Sequence, residues 1–256
     1  MNALLEVEDV TLRFGGVTAI SRVSFEVEPG ELFAIIGPNG AGKTSIFNTI
    51  SQVYEPQQGD IRFQGRSLMG LRPDKVADLG IARTFQNIEL FAQMNVVDNL
   101  LTGRHTRMNR SWLAGALWWG AARKEELANR EKVEEIIDFL EIEAWRRHPV
   151  SLLPYGFQKR VELGRALAME PTLLLLDEPV AGMNLEETAD MARFILDIQR
   201  ELGITMVMVE HDMGLVMDIA DRVMVLDFGE QIALGKPAEV QENPNVIAAY
   251  LGSEFA

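Results

Sequence analysis

Eight consecutive residues, Gly37-Pro38-Asn39-Gly40-Ala41-Gly42-Lys43-Thr44, spell GxxxxGK[ST], a spacing whose chemistry is phosphate binding. The glycines let backbone N–H groups converge on phosphate oxygens, and a helix opening just beyond adds positive potential. Lys43 has the reach to meet β- and γ-phosphates, and the Thr44 hydroxyl suits Mg²⁺, with Ser45 next to it as a further nucleotide contact. A second reactive piece is the apolar run Leu173-Leu174-Leu175-Leu176, which ends in Asp177-Glu178-Pro179. A buried parallel strand delivers such carboxylates at its C-terminal end, where α/β sheets place their ligands. Asp177 is expected to hold Mg²⁺ through water, and Glu178 to polarise an attacking water. Taken alone, Asp-Glu-Pro reads as a solvated acidic turn; the phosphate loop favours the catalytic reading. His211 follows another apolar strand in Val209-Glu210-His211-Asp212, where it can approach a γ-phosphate. Gln86, in Thr84-Phe85-Gln86-Asn87, stands where the sequence texture changes.

The elements that must position these groups are legible as runs and breaks. Residues 4–7, 23–27, 31–36 and 61–63 read as strands, with Gly59 and Gly65 marking turns, and a helix is expected from about Lys43. From about residue 87 to 168 β-branched runs nearly vanish, while Leu100, Val133, Ile136, Ile137 and Leu140 fall at helical spacing among charges. Strand signals return at residues 173–176, 206–209 and 223–226, separated by helix-like segments. Strands alternating with helices imply a mainly parallel sheet.

With 47% apolar residues in 256, the chain can build a sizeable core without staples. It has no cysteine, which excludes a disulfide scaffold, cysteine-ligated metal and thiol catalysis, and fits a reducing cytoplasm. A formal charge of −14 argues against nucleic acid as a partner. The start Met1-Asn2-Ala3 lacks the pattern of a signal peptide, and no apolar run approaches the roughly 20 residues of a membrane span. A membrane role is therefore expected to come through a partner.

Together these motifs resemble an ABC transporter ATPase over essentially the whole chain. The resemblance implies a P-loop NTPase fold of the α/β class: a mainly parallel core sheet, an N-terminal antiparallel β subdomain and an inserted α-helical subdomain. Residues 1–87 and 168–256 would form the nucleotide-binding core, and 88–167 the helical signature subdomain. It implies ATP and Mg²⁺ as cofactors. Glu178, His211, Gln86 and Lys43 take catalytic roles; Thr44, Gln86 and Asp177 attend the metal, Gln86 also marking the hinge between core and helical subdomain. Phe14 matches the aromatic on which adenine stacks, although by itself it reads as an ordinary strand-face phenylalanine. Ala181-Gly182-Met183-Asn184 corresponds to a loop at the dimer interface. The signature, usually LSGGQ, stands here as Leu153-Pro154-Tyr155-Gly156-Phe157, so Tyr155 and Gly156 would contact nucleotide across a dimer. Pro154 replaces the serine and Phe157 the glutamine. Proline suits the first turn of a helix, whose N-terminus can still face an anion.

The long helical lobe, the altered signature and the ending Asn243-Pro244-Asn245-Val246-Ile247-Ala248-Ala249-Tyr250-Leu251-Gly252 are similar to the branched-chain amino-acid importer group. That similarity implies a second ATPase subunit (identical or different), two transmembrane permease subunits, a periplasmic binding protein and a place on the inner face of the cell membrane. Urea or amide importers and the lipopolysaccharide-export ATPase share much of the pattern. Non-transport ABC ATPases fit less well, lacking here their coiled coils or zinc modules, and no NKxD-type sequence supports a GTPase. Residues 112–119, with Trp112, Trp118 and Trp119, read either as packing within the lobe or as an apolar patch for the permease or partner ATPase.

Overall fold

The computed structural model describes residues 3–106 and 121–253; residues 112–119, with their three tryptophans, lie outside them. Contacts divide the chain into two compact units. One comprises residues up to Arg83, Thr172–Pro179 and those from Ala192; the other comprises Thr84–Pro171 and Val180–Met191.

The first unit carries two sheets among the described residues. An antiparallel sheet contains β1 (Leu5–Phe14), β2 (Val17–Val27), β4 (Gln58–Phe63) and β5 (Arg66–Ser67), ordered β2-β1-β4-β5. Residues 4–7 and 23–27, read as short strands, are the ends of this longer β1–β2 hairpin, whose middle is disguised by register shifts after Val7 and Val10. The second sheet contains β3 (Leu32–Ile36), β6 (Ile81–Arg83), β7 (Leu173–Asp177), β8 (Thr205–Val209), β9 (Arg222–Asp227) and β10 (Glu230–Gly235), ordered β10-β9-β3-β8-β7-β6. All its pairs are parallel except β9–β10. Every residue of β3, β7 and β8 is buried, as unbroken apolar runs require when both faces of a parallel sheet are covered. The core continues into the antiparallel sheet, where Phe25 stacks on Phe33 with centroids 5.1 Å apart. The mainly parallel α/β fold with an antiparallel β subdomain is thus the one expected.

Register decides where the sheet's ends fall. Ile35 pairs with Val209, and Val209 with Asp177. The next amides bond onward, Glu178 N–H to Val209 O at 2.9 Å and Glu210 N–H to Ile35 O at 3.4 Å. Three strands therefore end level, and the residues just beyond them emerge side by side.

The second unit is helical in its described residues, with α3 (Val96–Gly103), α4 (Ala121–Phe139), α5 (Tyr155–Leu167) and the first turns of α6 (Leu185–Leu202). In the first unit, α1 (Lys43–Ile50) follows the phosphate loop and α2 (Pro73–Asp78) precedes β6. Small residues let α3 and α5 approach: a Cβ on Gly103 would lie 2.3 Å from Arg165 O. Val133, Ile137, Leu140 and Leu100 are wholly buried, as their helical spacing anticipates. The unit takes in Val180–Met191 because side chains tie that stretch to α5: Tyr155 Oη donates to Ala181 O at 3.0 Å, and Arg160 pairs with Asp190 at 2.5 Å. No helix among the described residues is long and apolar enough to cross a membrane.

Asn99, fully buried, holds the entry to α3. Its Oδ1 accepts from Phe91 N–H at 2.9 Å, and its Nδ2 donates to the carbonyls of Phe91, Met94 and Asn95. Alanine there strands the Phe91 N–H and takes one donor from each of three carbonyls that keep a backbone partner, so Asn99→Ala is expected to lower the unfolding free energy by about 2 kcal/mol. Urea unfolding with an unchanged m-value checks this; a loss below about 0.5 kcal/mol, the range of neutral surface changes, would contradict it.

Candidate nucleotide site

The phosphate loop closes on itself through backbone geometry that side chains would obstruct. Gly37 has φ +150°, and a Cβ there would stand 2.1 Å from Leu226 O; Gly42, at φ +103°, would meet Ala19 O at 2.5 Å. Gly42 is also the N-cap of α1 and no side chain caps that terminus, which leaves the first-turn N–H groups for an anion. Lys43 is buried, and its Nζ donates to Gly37 O at 2.7 Å and Pro38 O at 3.1 Å. Burial lowers its pKa, while the carboxylates Glu178, Glu210 and Asp177 act to raise it.

A cleft of about 410 Å³ opens over the loop, lined by Asn39, Gly40, Ala41, Gly42, Lys43, Thr44, Ser45 and Glu178. Its remaining wall consists of Val17, Thr18, Ala19 and Phe228. Glu178 holds a left-handed backbone, φ +48°, a strained state for a residue with a Cβ that tends to persist at functional positions. Its amide bond to Val209 O secures it. His211 is more than half exposed, with Nδ1 3.7 Å from Glu178 Oε2 and 3.8 Å from Glu210 Oε2. Glu210 is completely buried and accepts the amides of His211 at 2.9 Å and Asp212 at 3.3 Å. It therefore sets the backbone that carries the histidine. Asp177, buried at the end of β7, pairs with Arg83 at 2.7 Å, and Arg83 also donates to Asn48 Oδ1 at 2.8 Å.

The structure thus brings Asn39, Gly40, Ala41, Gly42, Lys43, Thr44, Ser45 and Glu178 into one cleft, with Gly37 and Pro38 at its base under the Lys43 ammonium and His211 beside Glu178. Phe14 is not among the lining residues. It pairs with Val17 across the β1–β2 hairpin, and its ring meets Tyr54 edge-on at 4.9 Å. The second unit holds Gln86, Tyr155 and Gly156. Gln86 is exposed, and its carbonyl accepts from Lys159 Nζ at 2.8 Å. Gly156 is buried where a Cβ would lie 2.6 Å from Glu187 Oε1. Glu187 in turn accepts the Asn184 amide at 3.1 Å, and Asn184 Oδ1 accepts from Glu186 and Glu187, capping α6. Pro154 is the N-cap of α5, with extended ψ of 151°, so it precedes the first turn and does not lie in it as expected. Phe157 packs against Trp145 at 5.5 Å and under the Arg160 guanidinium at 4.9 Å, a packing role that a glutamine would fill less well.

Sequence reasoning did not find Arg83, Glu210, Val17 or Phe228. Arg83 and Asp177 are 94 residues apart, and nothing local links them. Glu210 stood in plain view next to His211, where its position directly after an apolar strand was the available signal. Tyr250, in the chain's ending, carries no local signal for the site. Burial pushes its phenol to about 12, opposed by the Gly37 backbone, so the final helix reaches the base of the phosphate loop.

Known proteins resemble this chain in sequence and fold. The ABC transporter family profile matches residues 20–181, and the profile of the branched-chain amino acid ATP-binding cassette transporter matches residues 230–256. The chain is 40% identical to the high-affinity branched-chain amino acid transport ATP-binding protein BraF of Pseudomonas aeruginosa, covering 97% of this chain and 98% of that one. It is 36% identical to LivG, the protein of the same description from Escherichia coli, over 97% and 98% of the two chains. Among solved structures, the ADP conformation of MJ1267, an ATP-binding cassette of an ABC transporter, superposes with a TM-score of 0.86 at 30% identity, covering 98% of this chain and 100% of that one.

The ion pair below the cleft gives a direct test. Arg83→Met removes the cation beside a buried carboxylate and is expected to cost about 3 kcal/mol of unfolding free energy. Adding Asp177→Asn, which deletes the buried charge, should restore part of that loss. Equal stability of Arg83→Met and wild type in chemical denaturation would show that the pair does not hold β7 in place.

Proposed function

Because the chain belongs to the ABC transporter family of ATP-binding proteins, we propose that this ATPase powers import of branched-chain or closely related amino acids. The observation that carries the nucleotide chemistry is a single cleft uniting the uncapped helix N-terminus, Lys43 and Glu178. Support for the substrate class is the match at residues 230–256 together with nearly full-length similarity to the two amino-acid transport proteins.

In this reading the triphosphate lies along residues 37–45, and Lys43 exchanges its two loop carbonyls for β- and γ-phosphate oxygens. Phe14 and the neighbouring wall receive the adenine. Mg²⁺ is a hard cation suited by the Thr44 hydroxyl and the anionic Asp177 at the strand end, with Gln86 as a further ligand by resemblance; when bound it neutralises phosphate charge. Glu178 polarises the attacking water. As the new P–O bond forms, the bond to the bridging oxygen breaks, giving ADP and phosphate. His211, beside Glu178, is placed to interact with the developing charge on the γ-phosphoryl oxygens.

Tyr155 and Gly156, at the N-terminus of α5, serve the nucleotide of a second ATPase subunit. Pro154 makes no side-chain cap at that terminus, so the first-turn N–H groups are suited to an anion. Closing and reopening of the dimer, with Gln86 just past the point where the chain leaves the first unit, drives two permease subunits fed by a periplasmic binding protein. The chain then works at the inner face of the cell membrane.

Purified wild type should hydrolyse MgATP, and Glu178→Gln should lose at least about a hundredfold of that rate while retaining ATP in a dimer seen by native mass measurement. Turnover unchanged by the substitution would remove Glu178 from the chemistry. The substrate class is checked separately by uptake of labelled leucine in cells carrying this chain with its permease partners: ATP-dependent uptake is expected. Uptake of urea but not leucine would contradict the amino-acid assignment.

A further inference from the structure

The turn between β9 and β10 presents a residue that the fold itself does not require. Phe228 has φ +44° and is 86% exposed. A left-handed turn position favours glycine or asparagine, and a bulky residue there is an outlier. The turn is held instead by its neighbour. Gly229 N–H donates to Ala41 O at 3.0 Å, and Gly229 O accepts from Ser21 N–H at 2.8 Å. Gly229 also lies so near β2 that a Cβ would stand 2.7 Å from Ala19 O. Phe228 thus adjoins a residue fastened by backbone bonds to the phosphate loop and to β2, while its own exposed side chain contributes no core packing.

Phe228 lines the same cleft as residues 39–45 and Glu178. Val17, 67% exposed, lines it as well, and Phe14 pairs with Val17 on the adjoining strand. The cleft therefore has a polar end, where glycines and Lys43 await an anion, and an apolar rim of Val17 and Phe228. A ligand matching both is a phosphate chain bearing an aromatic base. We propose that Phe228 is a positioning residue for the nucleoside, its ring forming an apolar wall against the base of the nucleotide whose phosphates the loop holds. This rests on the nucleotide-site reading given above.

Calorimetric titration of the full chain with MgADP and with magnesium tripolyphosphate, which has no nucleoside, separates the two ends of the cleft. Wild type should bind both. Phe228→Ala should weaken MgADP about tenfold, the scale of losing one base–aromatic contact, and leave tripolyphosphate affinity unchanged. Phe228→Tyr should keep MgADP affinity near wild type. Phe228→Gly should unfold at the same or a higher denaturant concentration than wild type, since it relieves the left-handed backbone, while still losing MgADP affinity; that excludes misfolding as the cause. Equal MgADP affinity in Phe228→Ala and wild type would overturn the proposal, as would equal losses for MgADP and tripolyphosphate, which would mean a disturbed loop. Failure of wild type to bind either ligand would instead refute the nucleotide site itself.

Discussion

The hydrogen-bonded register of β3, β8 and β7 sets where each reactive group of the first unit stands. Ile35, Val209 and Asp177 are paired across three strands, so the chain leaves the sheet at one level in three adjacent places. One exit becomes the phosphate loop, the second Glu178, the third Glu210 and His211. A slip of one residue in either pairing would invert the side chains of a buried strand and carry its reactive residue off the shared level. The spacing of groups drawn from residues 37, 178 and 211 is thus a property of the sheet, not of the loops that carry them.

Charge is the second constraint, because that level edge collects carboxylates. Asp177 and Glu210 are buried and Glu178 is mostly so. Arg83 answers Asp177 directly, while Lys43 lies in the field of all three. The second unit repeats the theme: Lys159 and Glu162 are buried 3.6 Å apart, burial raising the Glu162 pKa against the opposing effects of Lys159 and two backbone amides. Buried carboxylates held this way cannot be relocated without stranding a cation. Backbone strain at Glu178, with φ +48°, is sustained by the same surrounding structure.

How much of this was legible in the sequence depended on whether a feature was contiguous. The phosphate loop, the Leu173-Leu174-Leu175-Leu176 strand with its carboxylates and the return of strand signals near residues 206 and 223 each lie in one short window, and the fold class followed from their order. The β9–β10 hairpin escaped because Asp227-Phe228-Gly229 places a phenylalanine where turn chemistry favours a small or polar residue. Arg83 escaped because its partner lies in another strand, and Val180–Met191 joined the helical unit through contacts made by Tyr155 and Arg160 that no periodicity reveals. Phe157 looked like a defect in a motif; its contacts with Trp145 and Arg160 make it part of the packing around α5. The tryptophans at 112, 118 and 119 lie outside the described residues.

In the proposed nucleotide site of residues 37–45 and Glu178, Lys43 changes partners on binding. A crystal structure of Glu178→Gln with MgATP would test this exchange. Expected are β- and γ-phosphate oxygens at hydrogen-bond distance from Lys43 Nζ, which would have left the carbonyls of Gly37 and Pro38, with Mg²⁺ near Thr44 and Asp177. Nucleotide bound elsewhere, with Lys43 still on those two carbonyls, would contradict it.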